Sequence, residues 1–373
     1  MVRIIAHLDM DAFFAAIEER DTPAFRGVPL VVGADPLGGH GRGVASTSNY
    51  LARAYGIHSA TPISVAWRLS EAARRRGKPP VTFVSVDMPK YHRVSDTVMG
   101  IVRRFIPTVE QASIDEAYGD LSFVESYEAA EALCGTIKTA IRKEERLTAS
   151  VGIAPNKLVA KIASGMRKPD GLTVVRPDEV EPFLAPLPIR SIPGIGPKTE
   201  VLLVKQGVRV VKDLKPLTAI QLETLFGKRG RDLYERIRGQ DGAPVEEYSE
   251  PKSIGEQETF STDTLESQVL LTTIRELARG VMERLQHEGF RRFRTVVLTV
   301  RFSDFETRSR SHTMAQSAGE LETLHREGLK LLLPFLDRRE NPARKRIRLL
   351  GLRVEKLEAH AQSARESLNL FDP

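Results

Sequence analysis

Ile4-Ile5-Ala6-His7-Leu8-Asp9-Met10-Asp11-Ala12-Phe13-Phe14 joins an apolar run, an acid at its end and the beginning of a helix. Ile4 to Leu8 reads as a short buried strand that delivers Asp9 at its tip. Asp11 to Glu19 reads as a helix, with Asp11 as its cap and Phe13, Phe14 and Ile17 on one apolar face. A charge at the end of a buried strand is costly unless it is used.

Working outward, Val28 to Val32 is a strand, residues 38–43 are a glycine-rich loop, Val44 to Ser46 is extended, and 49–55 and 62–76 are helical. Val81 to Val86 begins a second pattern of strand, helix (91–105), two strands (108–113 and 117–122) around a tight turn, helix (129–146), strand (148–153) and helix (157–166). With the first strand, this order suits an antiparallel or mixed sheet with helices on one face. Residues 11–80 then form an insertion between the first and second strands of that sheet. Pro177 to Gly242 is helical, 241–251 is polar and linker-like, and 252–355 repeats a βαββαβ order.

The tight turn carries Asp115 and Glu116. Placed on a strand beside the first, they bring three carboxylates to one sheet edge. Such a cluster repels itself unless cations bind it. Oxygen donors favour Mg²⁺ or Mn²⁺. Two such ions can activate a 3′-hydroxyl and stabilise a departing pyrophosphate. The ordinary alternative is a solvated acidic pair, and the apolar flanks of each acid weigh against it.

The bulk composition allows this chemistry. The 373 residues suffice for two to four domains. A net charge of +6 leans towards an anionic partner such as nucleic acid. A lone cysteine, Cys134, excludes an intramolecular disulfide and a zinc-thiolate cluster. Asp9 interrupts the first apolar run before a signal peptide could develop, and no apolar run reaches membrane-spanning length. The expected compartment is reducing and aqueous, the cytoplasm.

Leu8 to Glu18, together with Ala112-Ser113-Ile114-Asp115-Glu116-Ala117-Tyr118, resembles the Y-family lesion-bypass DNA polymerases, and most nearly their DNA polymerase IV branch. The resemblance continues through 48–56, 150–157, 160–164 and 168–171. It is dense to about Leu203 and looser beyond. It implies an α+β, multidomain right-hand polymerase that copies damaged templates without proofreading. Its parts would be a ferredoxin-like palm (1–11 and 83–175), small fingers (12–82), a helix-hairpin-helix thumb (176–242), a linker (243–251), a βαββαβ little finger (252–357) and a tail (358–373).

By the same resemblance, Asp9, Asp115 and Glu116 bind two Mg²⁺ ions, with Mn²⁺ as a substitute, and the Met10 carbonyl adds an oxygen. Phe13, Phe14, Ser46, Thr47, Tyr50, Arg53 and Lys168 surround the incoming dNTP. Arg53 can fork two phosphate oxygens and Lys168 supplies a point charge. Taken alone, these two would read as a solvated helix face and a helix-terminal charge. Phe14 matches the steric gate against a ribose 2′-hydroxyl, and Phe13 is expected to pack. Ala12, Ser46 and Thr47 leave the base-pair site roomy.

Ile192-Pro193-Gly194-Ile195-Gly196-Pro197-Lys198-Thr199 is a helix-hairpin-helix signature for primer–template DNA. Gly194 and Gly196 admit a phosphate to backbone N–H groups, and Lys198 adds charge. Phe226 to Arg231 is a weaker second copy. Arg292, Arg294 and Arg346, within basic runs of the last domain, are further candidate DNA contacts. Leu368, Leu370 and Phe371 resemble the anchors of a sliding-clamp-binding peptide. Ser367 replaces the glutamine that such motifs prefer. The chain is expected to act as a monomer.

Two competing functions remain open at this level. A nucleotidyl cyclase would share the palm acids but needs neither hairpin-helix thumb nor basic C-terminal sheet. A non-catalytic DNA-binding scaffold would keep those but has no use for the three acids. The steric-gate assignment is testable on its own. Phe14→Ala is expected to admit ribonucleotides in primer extension, and unchanged sugar discrimination at full activity removes the assignment.

Overall fold

The computed structural model describes residues 2–248 and 250–359. The chain divides into two compact units, residues 1–249 and 250–373.

In chain order, the first unit begins with β1 (Ile5–Met10), α1 (Phe13–Asp21), β2 (Leu30–Gly33), β3 (Ala45–Ser48), α2 (Tyr50–Arg53) and α3 (Ile63–Arg74). It continues with β4 (Thr82–Ser85), α4 (Met88–Arg103), β5 (Thr108–Gln111), β6 (Glu116–Asp120), α5 (Tyr127–Glu145), β7 (Ala149–Ala154), α6 (Lys157–Gly165) and β8 (Leu172–Val174). The helices α7 (Val180–Leu184), α8 (Pro197–Lys205), α9 (Ala219–Phe226) and α10 (Lys228–Arg236) complete it.

The main sheet has the order β5-β6-β1-β7-β8. β1 runs antiparallel to both of its neighbours, which explains why nearly all of it is buried. Alternation along β1 divides its side chains between two cores. Ala6, Leu8 and Met10 pack with Tyr91, Val98 and Val102 of α4 and with Cys134, Ile137 and Ile141 of α5. Ile5 faces the other way, into a core built from α6 and from the helices beyond residue 180. His7 and Asp9 share that second face by alternation.

α6 lies very close to the sheet. A Cβ on Gly152 would strike the Ala160 carbonyl oxygen and the Ser164 amide nitrogen. His7 Nδ1 meets Ser164 Oγ at 2.7 Å across the same contact. The helical region joins this face through Asn156 Nδ2, which donates to the Gly239 carbonyl at 2.7 Å, and through the Leu158 amide, which donates to Asp241 Oδ2 at 3.0 Å.

Two expectations from the sequence are corrected here. Thr82–Ser85 does not enter the main sheet: β4 pairs in parallel with β2, in a separate sheet of order β3-β2-β4. Its apolar run suits either sheet, and β2 offers the open edge. Asp11 does not cap α1 either. The cap is Ala12, in left-handed conformation at φ 47°, without a side-chain bond. The Asp11 carboxylate is committed elsewhere.

The second unit contains β9 (Ser253–Thr264), α11 (Ser267–His287), β10 (Phe290–Phe302), β11 (Thr307–Ala318), α12 (Leu321–Leu336), β12 (Ile347–Glu355) and the short β13 (Glu358–Ala359). Its four main strands are antiparallel in the order β11-β10-β12-β9. Leu270, Ile274 and Leu285 of α11 and Leu324, Leu332 and Phe335 of α12 bury one sheet face, as the repeated βαββαβ pattern implies. The tail residues Leu368, Leu370 and Phe371 lie outside the described residues.

The tight seat of α6 has a measurable cost when disturbed. Gly152→Ala should lower the unfolding free energy by about 2 kcal/mol through overpacking. Chemical denaturation should show a lower midpoint at unchanged m-value. Wild-type stability would mean that α6 can lift from β7 freely.

Candidate active site

The acids are gathered by strand register. Asp9 on β1 is directly opposite Glu116 on β6, so both side chains leave the same sheet face. The Met10 amide donates to the Asp115 carbonyl at 2.9 Å, which closes the β5–β6 turn against the end of β1. Ser113 shapes that turn. Its hydroxyl donates to Asp115 Oδ1 at 2.6 Å and accepts from the amides of Asp115 (3.2 Å) and Glu116 (3.0 Å).

The side chains then go to separate partners. Lys168 pairs with Asp9. Lys161 Nζ lies 2.5 Å from Glu116 Oε2, and Asp115 bonds Ser113. Among the described residues, no three acidic, histidine or cysteine side chains are arranged to hold a metal ion. The backbone brings the three acids to one edge, while their side chains turn to separate partners rather than to a common centre. Adjacent carboxylates repel, and each adopts the nearest positive or hydrogen-bonding group. The donor set itself fits a hard divalent cation: all three side chains offer carboxylate oxygens, and ammonium groups already sit against two of them.

Local fields distinguish the acids. Burial pushes the Asp9 carboxyl above its ordinary value, and the Lys168 ammonium opposes this. The neighbouring His7 and Lys161 hold the Glu116 carboxyl below its ordinary value, against the cost of burial. The His7–Glu116 gap is 3.8 Å, beyond hydrogen-bond reach, which leaves Lys161 as the direct partner. Burial pushes the His7 imidazole below its ordinary value. Its Nε2 is buried with no hydrogen-bond partner.

The expected nucleotide-pocket residues are carried by α1, β3, α2 and the loop before β8. Ser46 and Thr47 are half-buried on β3. Tyr50 opens α2, and the Arg53 guanidinium stacks 4.7 Å from its ring centroid while Arg53 Nε donates to the Ser48 carbonyl at 3.0 Å. Burial and the neighbouring Asp11 push the Tyr50 phenol up to about 12. Phe13 is buried at 2% exposure and packs in the core. Phe14 is partly buried and lies flat on Tyr91, with centroids 4.2 Å apart and planes 10° apart.

Residues 8–165 match the impB/mucB/samB family, and 251–370 match the C-terminal domain of that family. Residues 190–241 match the thumb domain of DNA polymerase-iota. The chain is 45% identical to DNA polymerase IV of Methanoculleus marisnigri, with 95% of each chain covered. It is 38% identical to DNA polymerase IV of Streptococcus mutans, over 99% of this chain and 95% of that one. Among solved structures, a Y-family DNA polymerase chimera of Dbh and Dpo4 is similar, with a TM-score of 0.84 at 28% identity, covering 96% of this chain and all of that one (100%).

The chain belongs to the Y family of DNA polymerases.

Membership makes it a DNA-directed DNA polymerase with the right-hand fold and the helix-hairpin-helix thumb of the Y family. Y-family catalysis uses divalent metal ions, in keeping with the oxygen donors found here. No helix among the described residues is long and apolar enough to cross a membrane.

The candidate DNA contacts are dispersed. Gly194, at φ 96°, and Gly196, the cap of α8, form the thumb hairpin, and Lys198 lies in the first turn of α8. In the second unit, Arg292 and Arg294 are exposed on either side of buried Phe293. Arg346 precedes β12 at the other end of the sheet, since Phe302 pairs with Ile347 while Thr295 pairs with Glu355. Ser303 bonds the Arg346 carbonyl, so at about 3.3 Å per residue the two groups lie roughly 30 Å or more apart along the strand. The two basic runs therefore sit at opposite ends of this sheet.

Several site residues escaped sequence reasoning. Lys161 falls in the stretch 160–164 that carries the resemblance, but no role was assigned to it. Glu18 is buried on α1, where Tyr91 Oη donates to its Oε1 at 2.8 Å and Lys90 Nζ approaches at 3.0 Å. An acid on the apolar side of a helix was the available clue. This network holds the ring on which Phe14 rests. Lys90→Met should lower the unfolding free energy by about 2 kcal/mol, because it strips a buried carboxylate of its charged partner. Tyr91→Phe should cost about 1 kcal/mol. Denaturant titration of both variants tests this, and two wild-type curves would remove the network from the site.

Proposed function

We propose that this polymerase extends a primer by two-metal nucleotidyl transfer from dNTPs, with Asp9, Asp115 and Glu116 as ligands of two Mg²⁺ ions. Mn²⁺ would substitute, and the Met10 carbonyl would contribute an oxygen. The observation that carries this reading is the Asp9–Glu116 register, which sets two carboxylates side by side with Asp115 at the adjoining turn. The ions, when bound, would activate the primer hydroxyl and neutralise the departing pyrophosphate.

The protein's own groups supply the rest. Tyr50, Arg53 and Lys168 hold the triphosphate, the last by exchanging its contact with Asp9 for phosphate oxygens. Phe14, braced by Tyr91, lies against the sugar. Residues 1–11 and 83–175 serve as palm, 12–82 as fingers, 176–242 as thumb, 243–251 as linker and 252–357 as little finger. β4 pairs with β2, so the palm sheet proper consists of β1 and β5 to β8. Gly194, Gly196 and Lys198 meet the duplex backbone on the thumb, as do Arg292, Arg294 and Arg346 on the little finger. The tail anchors Leu368, Leu370 and Phe371 would bring the enzyme to a sliding clamp. One chain suffices for this site, and it would work in the cytoplasm.

An insertion ternary complex of Dbh DNA polymerase is similar to this chain, at 27% identity and a TM-score of 0.65. That state is the one proposed here for this chain with primer–template and nucleotide.

Primer extension with one dNTP at a time, with and without Mg²⁺, tests the reading on an undamaged template and on a series of damaged ones. The wild type should add the templated nucleotide, and a chelator should abolish addition. Asp115→Ala should reduce single-turnover insertion by at least about 10³-fold while DNA binding persists. Cyclic nucleotide from triphosphate alone, or DNA binding with no product, would overturn it.

A further inference from the structure

Asp11 stands two residues past Asp9, yet it points into the protein at 3% exposure. Its oxygens are taken by neutral donors. Ser150 Oγ donates to Oδ1 at 2.8 Å, and the Asp170 backbone N–H donates to Oδ2 at 2.7 Å. Tyr50 Oη reaches Oδ1 at a longer 3.4 Å.

These three donors come from three places. Ser150 is on β7, directly opposite Asp9. Asp170 is two residues beyond Lys168, in the loop that leads into β8. Tyr50 opens α2 beside the small sheet. One buried carboxylate therefore ties the main sheet to both supports of the triphosphate-binding side chains. The far side of the loop is held independently. Lys138 Nζ donates to the carbonyls of Asp170 (2.6 Å) and Gly171 (2.8 Å), and Arg142 pairs with the Asp170 carboxylate.

We propose that Asp11 is a positioning residue for nucleotide binding: it fixes the Lys168 loop and the Tyr50 hydroxyl so that both meet the same triphosphate. The proposal rests on the reading of Lys168 and Tyr50 as phosphate contacts. Without the carboxylate, the Asp170 N–H and the Ser150 hydroxyl lose a buried acceptor, and the loop relaxes to recover one. A displacement of about 1 Å is enough to weaken a charged contact strongly.

Single-turnover insertion of one dNTP separates nucleotide affinity from maximal rate. Asp11→Ala should weaken apparent nucleotide affinity about tenfold, with the maximal rate within about threefold and primer–template affinity unchanged. Asp11→Asn offers one acceptor oxygen for three donors and should lose about threefold. Lys168→Ala should itself weaken affinity about tenfold, and adding Asp11→Ala to it should cost no more than about threefold further.

A normal nucleotide affinity with a reduced rate in Asp11→Ala would show a merely structural role and overturn the proposal. So would losses that multiply in full in the double variant. Should Asp11→Ala fail to fold, Asp11→Asn in the same cycle decides. A loss that disappears in the Lys168→Ala background supports the proposal, and wild-type affinity or an undiminished loss overturns it. Wild-type affinity in Lys168→Ala alone refutes the phosphate reading of Lys168, a distinct failure seen in a distinct variant, and the proposal falls with it.

Discussion

The register between β1 and β6 constrains everything built upon it. Side chains alternate along a strand, so a slip of one residue would send Asp9 into the core beside α4 and α5 and turn Leu8 outwards. Several local features prevent that slip. Ala6, Leu8 and Met10 fill the core on one side, the Met10 amide bonds the Asp115 carbonyl, and Gly152 lets α6 press on the neighbouring strand. The acids are costly to hold near one another, and this packing holds them. Function here is a by-product of a sheet that has only one way to close.

Elements with a strong period were legible in the sequence. The strand before Asp9, the helices of both units and the repeated βαββαβ order were all readable, because burial leaves a clear imprint on residue choice. Asp9, Asp115 and Glu116 were legible for the converse reason, being acids set in apolar flanks. The partnership of β4 was not. Its four residues carry no preference between two sheets, and only a long-range pairing with β2 decides. β8 is three residues long and was invisible for the same reason.

Side-chain commitments were harder still. Asp11 has the chemistry of a helix cap, yet the strand-to-helix bend places Ala12 in that role and directs Asp11 towards Ser150 and Asp170. The two basic runs of the last domain gave no sign of their spacing in the fold, and antiparallel pairing sets them at opposite ends of the sheet. In each case the residue type was suggestive and the tertiary partner decided. Glu18 and Tyr91 make the same point. Both lie on helices with ordinary amphipathic patterns, and only the meeting of α1 with α4 turns them into a brace for Phe14.

The two lysines at the acidic edge have a bearing on how a substrate arrives. Lys161 and Lys168 offset Glu116 and Asp9, so among these five groups a single negative charge, that of Asp115, stays uncompensated. A polyanion diffusing towards this mouth meets a nearly balanced electrostatic landscape instead of a wall of like charge.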